Sequence, residues 1–231
     1  MNRITLALEP YSYAMNEEIN TFRTNIQFAG DDKKVILVTS CIQGEGKSGT
    51  AFKLARSLTE LKKRVLLIDA DVRSSVFLKR VEGPRPEKGL THFLSGQSTI
   101  QEVLCSTNIY GLQVIPAGPV PPNPTELFST LKFAKLIEQA RESYDYVIVD
   151  SAPLGMVVDA AILAKMCDAA ILVIESENIK YRFAQKVKAN LEETGCPILG
   201  AVLTKVKRKT RGRYYGKYYG KYYGKYLKDY E

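Results

Sequence analysis

The chain contains no tryptophan, a single histidine (His92) and only four cysteines in 231 residues. Cys41, Cys105, Cys167 and Cys196 form no C-x-x-C pair, and with one histidine they supply no zinc set. They read as reduced thiols, which argues for a cytoplasmic chain and against a disulfide-stapled secreted fold. His92 has no acidic or cysteine neighbour in sequence and reads as structural. No charged-then-apolar leader opens the chain, and no apolar run approaches the about 20 residues that span a bilayer. The expectation is a soluble protein whose membrane role comes through a partner. At this length one large α/β domain buries its core without metal or disulfide.

Acidic residues are scarce only at one end. Ten Lys and Arg stand against two acids between Lys205 and Glu231, which accounts for the whole net charge of +8 and leaves the rest of the chain neutral. A neutral body argues against a basic groove across the fold and for a charged appendage with its own task.

The most informative stretch is 35–50. Val35 to Val38 reads as a buried strand that stops at Thr39-Ser40 and turns through Gly44 and Gly46. It restarts as a helix with Phe52, Leu54, Ala55 and Leu58 at helical spacing. A strand, a glycine-containing loop ending Gly-Lys-Ser and a helix form a phosphate cradle. Loop N–H groups and the helix N-terminus face the anion, Lys47 neutralises the outer phosphates, and the Ser48 hydroxyl sits on Mg²⁺. Cys41 stands where the usual pattern has Gly, and Gly49 where Ser or Thr is common. An ordinary strand-to-helix turn is the competing reading.

A second buried strand, Val65 to Ile68, delivers Asp69 and Asp71 just past its C-terminal end, the edge at which open α/β sheets bind ligands. Alternation puts both acids on one side if the strand continues that far. A solvated turn with a helix cap is the plainer alternative. A third strand, Tyr144 to Val149, ends in Asp150. Ahead of the first core strand, Tyr13 to Phe28 reads as a helix that packs on its own domain, the plainer reading, or on a neighbouring subunit. The segment Gly89–Gly96 and the segment Ile100–Leu104 read as short helices, and Leu112–Ile115 as a strand. A helix N-capped by Thr125 runs to about Glu142. It is followed by a strand at Ala169–Ile174, a helix at Lys180–Glu193 and a strand at Ile198–Leu203. Strands alternating with helices predict an α/β fold, a mostly parallel sheet with helices on both faces.

In the tail, Tyr-Tyr-Gly-Lys occurs three times, and eight of the fourteen tyrosines lie here: Tyr214, Tyr215, Tyr218, Tyr219, Tyr222, Tyr223, Tyr226 and Tyr230. A glycine every four residues costs about 1 kcal/mol each in a helix, and no apolar face emerges, so the tail reads as disordered or weakly ordered. Basic residues interleaved with aromatics suit nucleic acid. A sticky linker, or a role for the hydroxyls themselves, are the other readings. Three units follow: a helical segment at 1–30, a nucleotide-binding domain at 31–205 and the tail at 206–231.

Taken together, Thr39–Ser48, Leu67–Arg73, Val147–Asp150 and the tyrosine cluster resemble the bacterial tyrosine kinases of capsule and exopolysaccharide assembly, the CpsD/CapB family. The likeness extends to Gly118–Leu127 and to Glu17–Ile26. It implies a deviant P-loop ATPase fold, ATP and Mg²⁺ as cofactors, and phosphorylation of tail tyrosines in trans between subunits of a ring. It also implies a transmembrane activator of the chain-length-regulating type, a cognate tyrosine phosphatase, and a cytoplasmic position at the inner face of the membrane through that partner. No nucleic acid is expected. On this reading the loop from Gln43, Gly44, Glu45 and Gly46 to Lys47, Ser48 and Gly49 holds the phosphates. Ser48, Asp71 and Asp150 hold the metal. The family match makes Asp69 the group that orients the tyrosine and takes its proton, a choice that spacing alone leaves open between Asp69 and Asp71. The ring motif appears in part, as Glu17 and Arg23 with Asn20 between them. Gln43 replaces a common Pro, and Thr204 stands where relatives often carry an Asn near the adenine. The rival within the fold is a partition-type, nucleotide-switched ATPase whose basic tail binds nucleic acid or anionic membrane. Such ATPases carry a lysine where this chain has Ile42.

Overall fold

A computed structural model describes residues 2–207. The tyrosine tail, and with it every proposed phosphoacceptor, lies outside the described residues. The chain begins with the short strands β1 (Asn2–Arg3) and β2 (Thr5–Leu6), then α1 (Tyr13–Phe28), β3 (Val35–Ser40), α2 (Lys47–Glu60) and β4 (Val65–Ala70). A 3₁₀ turn at Phe77–Arg80 leads into β5 (Val81–Glu82), α3 (Leu90–Leu94), α4 (Ile100–Val103), β6 (Cys105–Ser106) and β7 (Leu112–Ile115). The second half runs α5 (Pro124–Phe128), α6 (Leu131–Ser143), β8 (Tyr146–Ser151), α7 (Asp159–Ala164), β9 (Ala169–Glu175), α8 (Tyr181–Glu192) and β10 (Ile198–Thr204).

Eight strands form one sheet in the order β1-β6-β7-β4-β8-β3-β9-β10, and β2 pairs with β5 alone. Only the β6–β7 pair in the large sheet is antiparallel. β3, β4 and β8 are buried along their whole lengths, as strands covered on both faces must be. Alternation splits them between two cores. Val35 and Leu37 pack with α6, α7 and α8, whereas Ile36 and Val38 pack with α1 and α2.

The helix expected from Thr125 to Glu142 is two helices. Asn123 caps α5 with Pro124 in its first turn, and the Thr130 hydroxyl accepts from the Phe133 N–H to start α6. Phe128 and Phe133 meet edge-to-face at 5.5 Å, which accounts for the break, since a straight helix would not bring both rings to the same core. Thr125 is therefore not the cap. Its hydroxyl donates instead to Asp159. Likewise Tyr144 closes α6 rather than opening β8. The two-residue strands are too short to carry an alternation pattern, and sequence reading did not find them.

The order β4-β8-β3 positions the site. The strand that follows α6, more than eighty residues after the phosphate loop begins, inserts between the first two core strands. Asp69 and Asp150 become register partners, and Asp150 lies opposite Val38 on its other side.

Candidate active site

At the end of β3 the chain bends through Gly44 (φ 87°) and Gly46 (φ 89°), conformations that residues with a Cβ rarely adopt. Gly46 caps α2 without a side-chain hydrogen bond, so the first N–H groups of a fourteen-residue helix stay available for an anion. The buried Glu45 carboxylate turns inward: Oε2 accepts from the Cys41 and Ile42 N–H groups at 2.7 and 2.8 Å, and Oε1 from the Glu175 N–H at 3.2 Å. The Thr204 hydroxyl donates to the Glu45 carbonyl at 2.6 Å, and Lys205 Nζ donates to that of Gly44 at 2.9 Å. Glu45 thus shapes the loop from inside, and only the N–H groups beyond Ile42 remain for phosphate. Gln43 reaches across the mouth and donates to the Ser74 hydroxyl at 2.8 Å.

Lys47, Ser48, Asp69, Asp71 and Asp150 are all buried and lie together. Lys47 Nζ is 2.5 Å from Asp71 Oδ2 and 3.5 Å from Ser48 Oγ. Burial opposes its charge, but Asp150 and Asp71 outweigh that and hold the ammonium above its usual range. Asp71 Oδ1 accepts from the Ser74 N–H at 3.1 Å. The Ser75 hydroxyl donates to Asp69 Oδ2. Asp69 Oδ1 and Asp150 Oδ1 are buried with no hydrogen-bond partner. Burial first, then the Asp150 charge, pushes Asp69 up to about 7. Burial also pushes Asp150 up to about 6, against the pull of Lys47 and of the Ser48 hydroxyl. The orphaned Asp150 Oδ1 beside the Ser48 hydroxyl, with the Asp71 carboxylate on the same side through Lys47, is the kind of oxygen donor set a hard divalent cation accepts, so the residues present fit Mg²⁺. Among the described residues no three His, Cys, Asp or Glu side chains form a cage by themselves.

These shifts give a signed expectation. A carboxylic acid whose folded-state pKa exceeds its unfolded value of 3.8 keeps a proton that the unfolded chain sheds. Its contribution to stability is therefore full at low pH and disappears as pH rises through the folded pKa. In chelator and without nucleotide, this contribution to the melting temperature should fall away between about pH 4 and about pH 7, and Asp69→Asn should flatten the curve. Superimposable profiles would refute the assignment.

Several residues around the acids escaped sequence reasoning. Asp159, fully buried at the start of α7, accepts from Arg73 Nε at 2.6 Å and Nη2 at 3.0 Å, and from the Thr125 hydroxyl at 2.9 Å. This ties the loop after β4 to α5 and α7. Ser75 fixes one oxygen of Asp69. Arg80 lies over the Phe52 ring at 4.9 Å and lowers the Asp150 pKa through its charge. No local pattern marks these partners, because they lie six to eighty-six residues apart.

The two residues assigned to oligomerisation sit on α1, which packs on α2 through Ile26. Glu17 is exposed. Arg23 is half-buried within its own subunit, donating to the Ser57 carbonyl at 2.7 Å, to Glu60 at 2.9 Å and to Asn20 at 3.0 Å.

The family model described as an AAA domain matches residues 33–193. The tyrosine-protein kinase CpsD of Streptococcus agalactiae is 44% identical over 190 residues, covering 82% of this chain and 83% of that protein. The tyrosine-protein kinase YwqD of Bacillus subtilis is 37% identical over 214 residues, covering 90% and 88%. The crystal structure of the chimerical protein CapA2B2 superimposes with a TM-score of 0.79 at 32% identity, covering 88% of this chain and 93% of that one. A phosphate loop on a mostly parallel sheet, three strand-end acids and this degree of likeness place the chain in the CpsD/CapB family of bacterial tyrosine kinases.

Proposed function

We propose that the chain is an ATP-dependent protein-tyrosine kinase that phosphorylates the tail tyrosines Tyr214–Tyr230 of a neighbouring copy and so regulates capsule or exopolysaccharide polymerisation and export. The observation that carries this reading is the pair of buried, unpartnered oxygens on Asp69 and Asp150, side by side next to Lys47 and Ser48. Family membership supplies the expectation of a ring of copies, a transmembrane activator and an opposing phosphatase. Among the described residues no helix is long and apolar enough to cross a membrane, so attachment at the membrane's inner face falls to the activator.

The N–H groups from Gln43 to Gly49 bind the phosphates of ATP. Lys47 would leave Asp71 for the outer phosphate oxygens, freeing Asp71 to hold Mg²⁺ together with Ser48 and Asp150. When bound there, the ion would supply neutralisation of the charge developing on the terminal phosphates. A phenol titrates near about 10 and is protonated at neutral pH. Ser75 occupies one oxygen of Asp69 and leaves Oδ1 to orient the incoming hydroxyl and accept its proton. In a loose transition state that proton departs late, so a carboxylate suffices. The tyrosine oxygen–phosphorus bond forms as the bond from γ-phosphorus to the ADP oxygen breaks. Each phosphate brings about −1.5 to −2 charges, so about four or five cancel the tail's +8.

Incubating the full chain with ATP·Mg²⁺ and a cytoplasmic fragment of its activator, followed by mass spectrometry of residues 214–230, tests this directly. Phosphate on several tail tyrosines is expected. Hydrolysis without transfer, together with salt-sensitive DNA binding, would instead mark a partition-type ATPase.

A further inference from the structure

Beside the catalytic cleft lies a group of cations with no counter-charge. Lys53 and Arg56, on the exposed side of α2, flank the Tyr11 ring, with Nζ 5.9 Å and Cζ 4.8 Å from its centroid. Arg80 sits over Phe52 on the same helix, and its Nη2 is 3.5 Å from where a Cβ on Gly49 would stand. The backbone holds these pieces in place: the Ala7 N–H donates to the Arg80 carbonyl at 2.8 Å, and β2 pairs with β5. Among the described residues no carboxylate oxygen lies within 4.0 Å of a nitrogen of Lys53, Arg56 or Arg80. Burial and the nearby Arg80 charge pull the Lys53 ammonium below its usual range, as expected of like charges gathered without an anion.

Two cations flanking the Tyr11 ring, with a third, Arg80, over Phe52 on the same helix, match an aryl phosphate, a dianion on a flat ring, better than they match a carboxylate. The cluster also borders the cleft, since Arg80 acts on Asp150. We propose that Lys53, Arg56 and Arg80, with Tyr11, form a subsite that holds a phosphotyrosine of another copy's tail after the first transfer. The proposal rests on the kinase reading. An unmodified repeat offers these side chains only lysine charge and is repelled, whereas a phosphotyrosine places a local dianion beside them, so the subsite favours product. The Tyr-Tyr-Gly-Lys repeat then matters for its length: four extended residues reach about 13 Å. With one phosphotyrosine retained, the next tyrosine pair is drawn toward Asp69 without release of the tail.

The test uses a fluorescent peptide of the tail repeat, phosphorylated or not, titrated into the dephosphorylated full chain. The phosphopeptide is expected to bind at least tenfold tighter than its unmodified twin, in a salt-sensitive manner. Lys53→Gln with Arg56→Gln should remove that difference, whereas Lys53→Arg should keep it. Saturating ADP·Mg²⁺ and millimolar inorganic phosphate distinguish the sources of the anion. If either displaces the phosphopeptide fully, the cations serve nucleotide or free phosphate and the proposal fails. Equal binding of both peptides also sinks it, whether or not the chain transfers phosphate, so its failure is separable from that of the kinase reading. In turnover, the Gln variant should shift products at low conversion from multiply to singly phosphorylated tails. An unchanged distribution would overturn the retention role.

Discussion

Lys47→Met is expected to lose tail phosphorylation by at least about 10²–10³-fold while the domain stays folded, because positioned charge is what phosphoryl transfer asks of a protein. Methionine keeps the length and the apolar stem and removes only the ammonium. In the structure that ammonium balances a pocket of buried carboxylates, with Asp71 at 2.5 Å and Asp150 and Asp69 acting at longer range. Removing one partner of a buried pair costs about 3–5 kcal/mol. Asp71 keeps its bond from the Ser74 N–H, so the lower end of that range is expected. The stability deficit should shrink near about pH 5, where Asp69 and Asp150 hold protons, whereas activity should not return. Urea midpoints at two pH values, alongside phosphate incorporation into the tail, separate the two effects. An active Lys47→Met protein would remove Lys47, and with it the site, from the mechanism.

Gly155→Ala is expected to cost at least about 1–3 kcal/mol and to weaken nucleotide binding more than tenfold, although Gly155 touches none of the acids. A Cβ there would stand 2.2 Å from the Cys41 carbonyl, 2.9 Å from the Phe183 ring and 3.0 Å from Val187. The first of these is backbone at the entrance of the phosphate loop, where Leu154 already donates to the Ser40 carbonyl at 2.9 Å. Relief therefore requires the loop itself, or α8 behind it, to move. Isothermal titration with ADP·Mg²⁺ and a thermal melt check the two parts. Wild-type affinity in Gly155→Ala would show that the loop after β8 and the phosphate loop are not mechanically joined. By contrast Gly44, whose added Cβ meets nothing within 4 Å, is constrained only by its positive φ.

How much of this was legible follows from how far each signal travels along the chain. The strand–loop–helix at Val35–Glu60 announces itself within about two dozen residues, because apolar periodicity and glycine placement act through neighbouring backbone. The same holds for the acids that terminate β4 and β8. Combined, these local signals determined the α/β class, the phosphate loop and the family. They could not determine that β8 inserts between β3 and β4, and that insertion alone makes Asp69 and Asp150 register partners. Nor could they reveal that Glu45 turns its carboxylate into its own loop, that Asp159 takes Arg73 and Thr125, or that Arg80 reaches over Phe52 toward the cleft. Sequence set what each segment becomes, because that depends on rotation about nearby bonds and on which face is apolar. The tertiary structure alone decided which charges meet, because burial and strand order bring together groups that share no local spacing and leave some of them without a partner.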